Sequence, residues 1–141
     1  MLGCGGAGCI SSNCGEVRDA LIKSVSTYKL DDAVKVMVTG CMGTCAMGPV
    51  ILVEPEGIFY TKMNPEKAED VVARHLLKDE VCEEYTYFDE DEGVHVPRME
   101  DIPFFKGQVR VALRNCGHME YASLEAYISR DGYGALARAL S

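Results

Sequence analysis

Thr39-Gly-Cys-Met-Gly-Thr-Cys-Ala-Met-Gly-Pro49 sets Cys41 and Cys45 three residues apart in a turn rich in glycine. Ahead of it, Val34-Lys-Val-Met-Val38 alternates apolar side chains and is rich in β-branched residues. That pattern predicts a strand running straight into the loop. A second pair of cysteines stands near the amino terminus, in Cys4-Gly-Gly-Ala-Gly-Cys9. A short, flexible loop can present both of its sulfurs to one metal without strain. The two pairs therefore read as four thiolates closing on one iron–sulfur cluster, and four cysteines suit the 2Fe–2S type. Gly5, Gly6, Gly8, Gly40 and Gly43 would let the backbone wrap close to the inorganic sulfides and turn N–H groups towards them.

Other readings of the cysteines compete with this one. Cys9 and Cys14 have the same spacing as Cys4 and Cys9, so either pair could join Cys41 and Cys45. Glycines fill the first gap. Ile10-Ser-Ser-Asn13 fills the second, and the following helix takes up Cys14, which favours Cys4 and Cys9. Paired cysteines also bind zinc. Thiol–disulfide exchange uses a Cys-x-x-Cys pair, a spacing this chain lacks. Cys82 and Cys116 have no cysteine neighbour in sequence and read as ordinary thiols. His75 falls on an apolar helical face and reads as core. His95 and His118 fall in loops without a ligand partner at a defined spacing, so no histidine marks a general base. Met37, Met42 and Met47 would pack around the second loop and keep water from it.

The rest of the first half reads in order. Asn13 and Glu16 resemble a capping box. Val17, Ala20, Leu21, Val25 and Tyr28 then recur at helical spacing, predicting a helix at about residues 15–28. Val50-Ile-Leu-Val53 is a short buried strand. Glu54-Pro-Glu-Gly57 is a turn, and Ile58-Phe-Tyr60 returns from it. Asn64-Pro65 opens a helix whose buried stripe is Ala68, Val71, Val72, His75 and Leu76, ending near Lys78. A strand cut short before Cys4, then helix, strand, hairpin and helix make a thioredoxin-like α/β layer. It occupies residues 1–80 and carries both cysteine pairs at one end of its sheet.

Residues 81–141 have a different character, predicting an extended connector and short helices. A hairpin joins Tyr85–Phe88 to Val94–Val96 across the acidic turn Asp89-Glu-Asp-Glu-Gly93. Gln108–Leu113 reads as a strand. Ser123 caps a short helix with Leu124, Tyr127 and Ile128. A last helix starts near Gly132 and carries Tyr133, Leu136, Ala137 and Leu140. It reaches Ser141 without a stop signal, so the chain reads as an excerpt from a longer protein.

Composition narrows the class. At 141 residues and 48% hydrophobic, the chain can build a packed core. A net charge of −8 argues against nucleic acid and against an anionic membrane surface. No apolar run approaches the roughly 20 residues of a membrane helix, and Met1-Leu2-Gly3-Cys4 lacks the features of a secretory signal. Seven cysteines, an odd number, fit metal ligands and buried thiols in the reducing cytoplasm.

The pattern Cys4-x4-Cys9, 31 residues, Cys41-x3-Cys45 resembles the thioredoxin-like 2Fe–2S ferredoxins, including the small subunit associated with the flavoprotein of respiratory complex I. Further stretches extend the likeness over essentially the whole chain: Ile102-Pro-Phe-Phe-Lys-Gly-Gln108, Leu113-Arg-Asn-Cys-Gly117 and Asp131-Gly-Tyr-Gly-Ala-Leu136. With these, the chain looks like the amino-terminal part of the flavin-containing beta subunit of electron-bifurcating FeFe-hydrogenases and NAD-dependent formate dehydrogenases. The resemblance implies a 2Fe–2S cluster on Cys4, Cys9, Cys41 and Cys45, with residues 81–141 leading into a flavin and NADH-binding domain that lies outside this chain. Cys14 departs from the family's ligand pattern, and the opening strand is shorter than the family's.

The expected function is one-electron transfer, with a flavin/NADH-binding domain and other iron–sulfur subunits as partners. No bond-making catalytic site is expected within the chain. The competing expectation is a non-redox docking module with an empty or zinc-filled site, using Ile102-Pro-Phe-Phe105 as an exposed apolar contact, although Phe104 and Phe105 could equally close a small core of their own.

Overall fold

The computed structural model describes all residues, 1–141. Its frame is a four-stranded sheet of β1 (Leu2–Cys4), β2 (Met37–Thr39), β3 (Ile51–Val53) and β4 (Ile58–Tyr60), in the order β2-β1-β3-β4. β1 runs parallel to β2, with Leu2 opposite Met37 and Cys4 opposite Thr39. It runs antiparallel to β3, which pairs in turn with β4. Helix α1 (Ala7–Ser11) and helix α2 (Cys14–Thr27) fill the crossover from β1 to β2, as a parallel pair requires. The opening strand is short, three residues, yet central in the sheet.

Side chains on a strand alternate between faces, and here both faces are buried. Ile51, Val53, Ile58 and Tyr60 enter one core with Val17, Leu21 and Val25 of α2. Helix α3 (Pro65–Val71), which continues through a π turn at Val72–Leu76, adds Ala68, Val71 and Val72. Asn64 caps α3, its Oδ1 accepting from Lys67 N–H at 2.8 Å, with Pro65 in the first turn. Leu52 and Phe59 point the other way, into a second core that holds Leu2, Cys4, Cys9 and Met42. This two-sided burial is why Val50–Val53 reads as an unbroken apolar run.

The second core is closed by chain beyond residue 80. Phe59 N–H donates to Pro97 O and Thr61 N–H to Tyr85 O, both at 2.8 Å, so the open edge of β4 is covered. The hairpin β5 (Tyr87–Asp89) and β6 (Val94–Val96) stands next to this edge. Its turn is organised by Asp89, which is buried and accepts from Asp91 N–H at 3.0 Å. The chain then returns under the sheet, where Met99, Ile102 and Phe105 fill the second core.

Several sequence expectations need correction. Asn13 caps nothing: it is left-handed (φ 61°, ψ 35°) and makes no capping bond. It follows α1, a helix hidden in the sequence by glycines, and asparagine tolerates the left-handed turn that ends one. Gln108–Leu113 forms no strand, and Val109 and Val111 are 91% and 79% exposed; their alternation finds no neighbouring strand to pair with. Ile102-Pro-Phe-Phe105 is split between core and surface: Ile102 is fully buried and Phe105 nearly so, while Pro103 and Phe104 are exposed. The helices α4 (Pro103–Lys106), α5 (Leu124–Ile128) and α6 (Gly134–Leu140) complete the chain. Ser123 caps α5 as expected, accepting from Ala126 N–H, but neither α5 nor α6 buries a residue.

His75 lies in the first core, as its position on the apolar stripe predicts. The Tyr60 hydroxyl accepts from Cys82 N–H at 3.3 Å and sits 2.9 Å from His75 Nδ1, towards which it can direct its own proton. Burial pushes the Tyr60 hydroxyl pKa up and moves the Cys82 thiol to about 11. Burial also holds the His75 pKa below its ordinary 6.5, against Glu56 and Asp79, which pull it up. A base kept neutral by folding, but free to protonate when unfolded, contributes stability that is present above its unfolded pKa and lost as pH falls through it. His118, lowered by burial and by Arg110 and Arg130, acts in the same direction. The thermal midpoint should therefore drop between about pH 7 and pH 5, with a shallower drop in His75→Gln. Melting curves of both proteins across that range check this, and equal slopes would refute the role of His75.

Candidate metal centre

Because β1 and β2 are parallel neighbours, the loops leaving their carboxyl ends start side by side. The first runs from Cys4 into α1. The second runs from Thr39 to β3 and contains a 3₁₀ turn at Cys45–Met47. Gly5 N–H donates to Thr39 O at 3.0 Å and Cys4 N–H to Val50 O at 3.3 Å, tying the first loop to both ends of the second.

The loops interlock through glycine and sulfur. A methyl group built on Gly6 would stand 3.0 Å from Cys41 Sγ, and one on Gly8 3.0 Å from Cys45 Sγ. From the other side, a methyl on Gly48 would stand 3.2 Å from Cys9 Sγ. Each loop thus presents glycine where the other presents a thiol, and the need is close approach. Gly43 is different, since its φ of +90° favours glycine outright, and its N–H donates to Cys41 Sγ at 3.4 Å.

The four thiols stand as two pairs. Cys4 acts on Cys9 and Cys45 on Cys41, which Cys4 also influences. Burial, reinforced by Cys4, pushes the Cys9 thiol up to about 12. For Cys41 the Gly43 N–H is the largest single influence and pulls downward, but burial and the thiols of Cys4 and Cys45 outweigh it. Loading a metal group here must displace protons, so it is favoured by higher pH. No three His, Cys, Asp or Glu side chains converge on a single-ion site. Paired thiolates on facing loops instead match a group with two irons.

Thr44 adds a further sign of fit. It lies between the second pair and is 6% exposed, and its Oγ1 has no hydrogen-bond partner. Leaving such a hydroxyl unpaired costs about 1–3 kcal/mol, so a sulfur acceptor in the site would satisfy it. Met42 is buried beside the loop, with Met37 and Met47 packed half-buried on the same core.

Two other cysteines approach the site. Cys14 opens α2, half-buried, in a groove shared with Cys4, Gly5 and Val38. Its thiol is raised by burial and then by Cys4. Cys116 is a residue that spacing alone missed. It sits against the second loop, where a methyl on Gly40 would come 2.7 Å from its Sγ. Its neighbour Gly117 donates N–H to the buried Thr39 Oγ1 at 2.8 Å, and Tyr121 N–H reaches Val38 O at 2.7 Å. A lone cysteine so far along the chain carries no local signal of this contact. Cys82 is in the other core, and His95 and His118 lie in the later segments.

Comparison with known proteins agrees with this architecture. Residues 2–76 match the family model for the thioredoxin-like [2Fe-2S] ferredoxin. A 2Fe–2S ferredoxin of Clostridium pasteurianum is 33% identical over 73 residues, covering 52% of this chain and 72% of that protein. One from Aquifex aeolicus is 34% identical over 76 residues, covering 53% and 68%. The solved thioredoxin-like [2Fe-2S] ferredoxin of Aquifex aeolicus superposes with a TM-score of 0.55 at 30% identity, over 60% of this chain and 84% of that one. Paired cysteine loops at one end of a short mixed sheet, matched over more than half the chain, make it a member of the thioredoxin-like [2Fe-2S] ferredoxins, whose cofactor is a 2Fe–2S cluster and whose work is electron transfer.

Proposed function

We propose that Cys4, Cys9, Cys41 and Cys45 hold the cluster, and that the chain passes single electrons within an NADH-linked, electron-bifurcating hydrogenase or dehydrogenase of the cytoplasm. The observation that carries the ligand assignment is the interlocking of the two loops, in which Gly6 and Gly8 face Cys41 and Cys45 while Gly48 faces Cys9. When bound, the cluster supplies a one-electron couple. The chain's own residues do the rest. The glycines bring backbone close to the thiolates, Gly43 N–H donates to Cys41, and Met42 helps exclude water.

The proposed partners are a flavin/NADH-binding domain and other iron–sulfur subunits. Two features support them: the resemblance carried by Leu113–Gly117 and Asp131–Leu136, and the apolar side chains exposed past residue 106. Val109, Val111, Tyr121, Leu124, Ile128 and Leu140 are all more than half exposed, apolar surface that a partner domain would cover. No helix is long and apolar enough to cross a membrane.

The test is iron and acid-labile sulfide counted per chain after anaerobic preparation, with EPR after dithionite. About two of each, and a paramagnetic signal on reduction, are expected for one 2Fe–2S cluster. Zinc, or no metal even after reconstitution, would overturn the proposal and leave a docking module.

A further inference from the structure

Thr44 Oγ1 is the one buried side-chain oxygen or nitrogen in the chain without a hydrogen-bond partner. It lies between two proposed ligands. The ordinary uses of a threonine at this position are not made. Thr44 precedes the Cys45–Met47 turn, yet its side chain caps nothing. Its backbone carbonyl accepts from Met47 N–H at 2.9 Å, while its hydroxyl is left without a partner. Burial at 6% exposure keeps bulk water from it. The preceding residue already donates to sulfur, Gly43 N–H meeting Cys41 Sγ at 3.4 Å.

We propose that the Thr44 hydroxyl donates a hydrogen bond to a sulfur of the bound cluster and raises its reduction potential. The inference rests on the cluster assignment above. Reduction adds negative charge that the sulfurs share, and a donated hydrogen bond is stronger to the more negative acceptor. The hydroxyl therefore favours the reduced state. Thr44 is a positioning and tuning residue and ligates nothing.

The experiment compares wild type, Thr44→Val and Thr44→Ser, each assayed for iron and sulfide and titrated by EPR-monitored reduction. Valine keeps the shape and deletes the hydroxyl; serine keeps the hydroxyl and deletes the methyl. With the cluster loaded, the reduced-to-oxidised ratio at fixed applied potential should fall about tenfold in Thr44→Val, about 59 mV for one electron. Thr44→Ser should stay near wild type. Loss of the cluster in Thr44→Val with retention in Thr44→Ser would carry the proposal as well. A Thr44→Val potential equal to wild type, equal shifts in both variants, or loss of the cluster in both would overturn it. A wild type without iron would instead defeat the cluster assignment.

Discussion

Cys41→Ala should abolish the visible absorption of the oxidised cluster and lower bound iron at least tenfold, while the sheet still folds. The reasoning starts from ligand number. Each iron of a 2Fe–2S group takes two protein thiolates, and alanine offers no donor in place of Cys41. Disturbing a residue that merely orients a ligand already costs about 10–100-fold in metal affinity, so removing a ligand costs more. The fold is spared because Cys41 lies in a loop and belongs to neither core. Cys4→Ala should behave alike in its iron content, and Cys14→Ala should keep its iron. That contrast separates the two readings of the equal spacing. Cys4 ends β1, beside Thr39 at the root of the second loop, whereas Cys14 belongs to α2. Anaerobic reconstitution followed by absorption and iron assays decides it. Iron retained in Cys4→Ala and lost in Cys14→Ala would transfer the ligand role to Cys14.

What could be read from the residues alone was mostly local. The two cysteine loops were legible because spacing and glycine content state the chemistry within a dozen residues. Asn64-Pro65 was legible as a helix start, and His75 as core, because caps and helical stripes are short-range signals. Failures came where the outcome depended on distant partners. Val109, Val111 and Leu113 alternate like a strand, but a strand needs an edge to join, and the edge of β4 is already occupied by Tyr85 and Pro97. For Phe105 the sequence left docking and a local core equally open, because nothing nearby in sequence announces that Phe59 stands against it. The contact of Cys116 with Gly40 joins residues on opposite halves of the chain. α1 was missed for another reason: glycine disfavours helix, yet Ser11 and Ser12 hydroxyls both bond to Gly8 O at 2.9 Å and steady that short turn.

Phe59→Ala should cost about 3–5 kcal/mol, the range for deleting a fully buried phenylalanine, and lower the thermal midpoint by about 10 °C or more. Phe59 has no exposed surface. Its ring meets Phe105 edge-on, with centroids 5.6 Å apart and planes at 77°, an arrangement favoured beyond the area it buries. Phe105 in turn stacks edge-on against Phe104, which reaches Gly43 between the cysteines of the second loop. The loss would therefore loosen the layer formed by Met99, Ile102 and Phe105 and, through it, one wall of the cluster loop. The same logic predicts that a chain ended at residue 80 is destabilised even though it retains all four proposed ligands. It would uncover Leu52 and Phe59 on the second face and free the edge of β4, so we take the stable unit to run to Lys106. Urea unfolding of the full chain, Phe59→Ala and chains ended at residues 80 and 106 measures this. The chain ended at 106 should unfold close to the full chain and the one ended at 80 far below it. Equal stability of the two shortened chains would show that the second core contributes little.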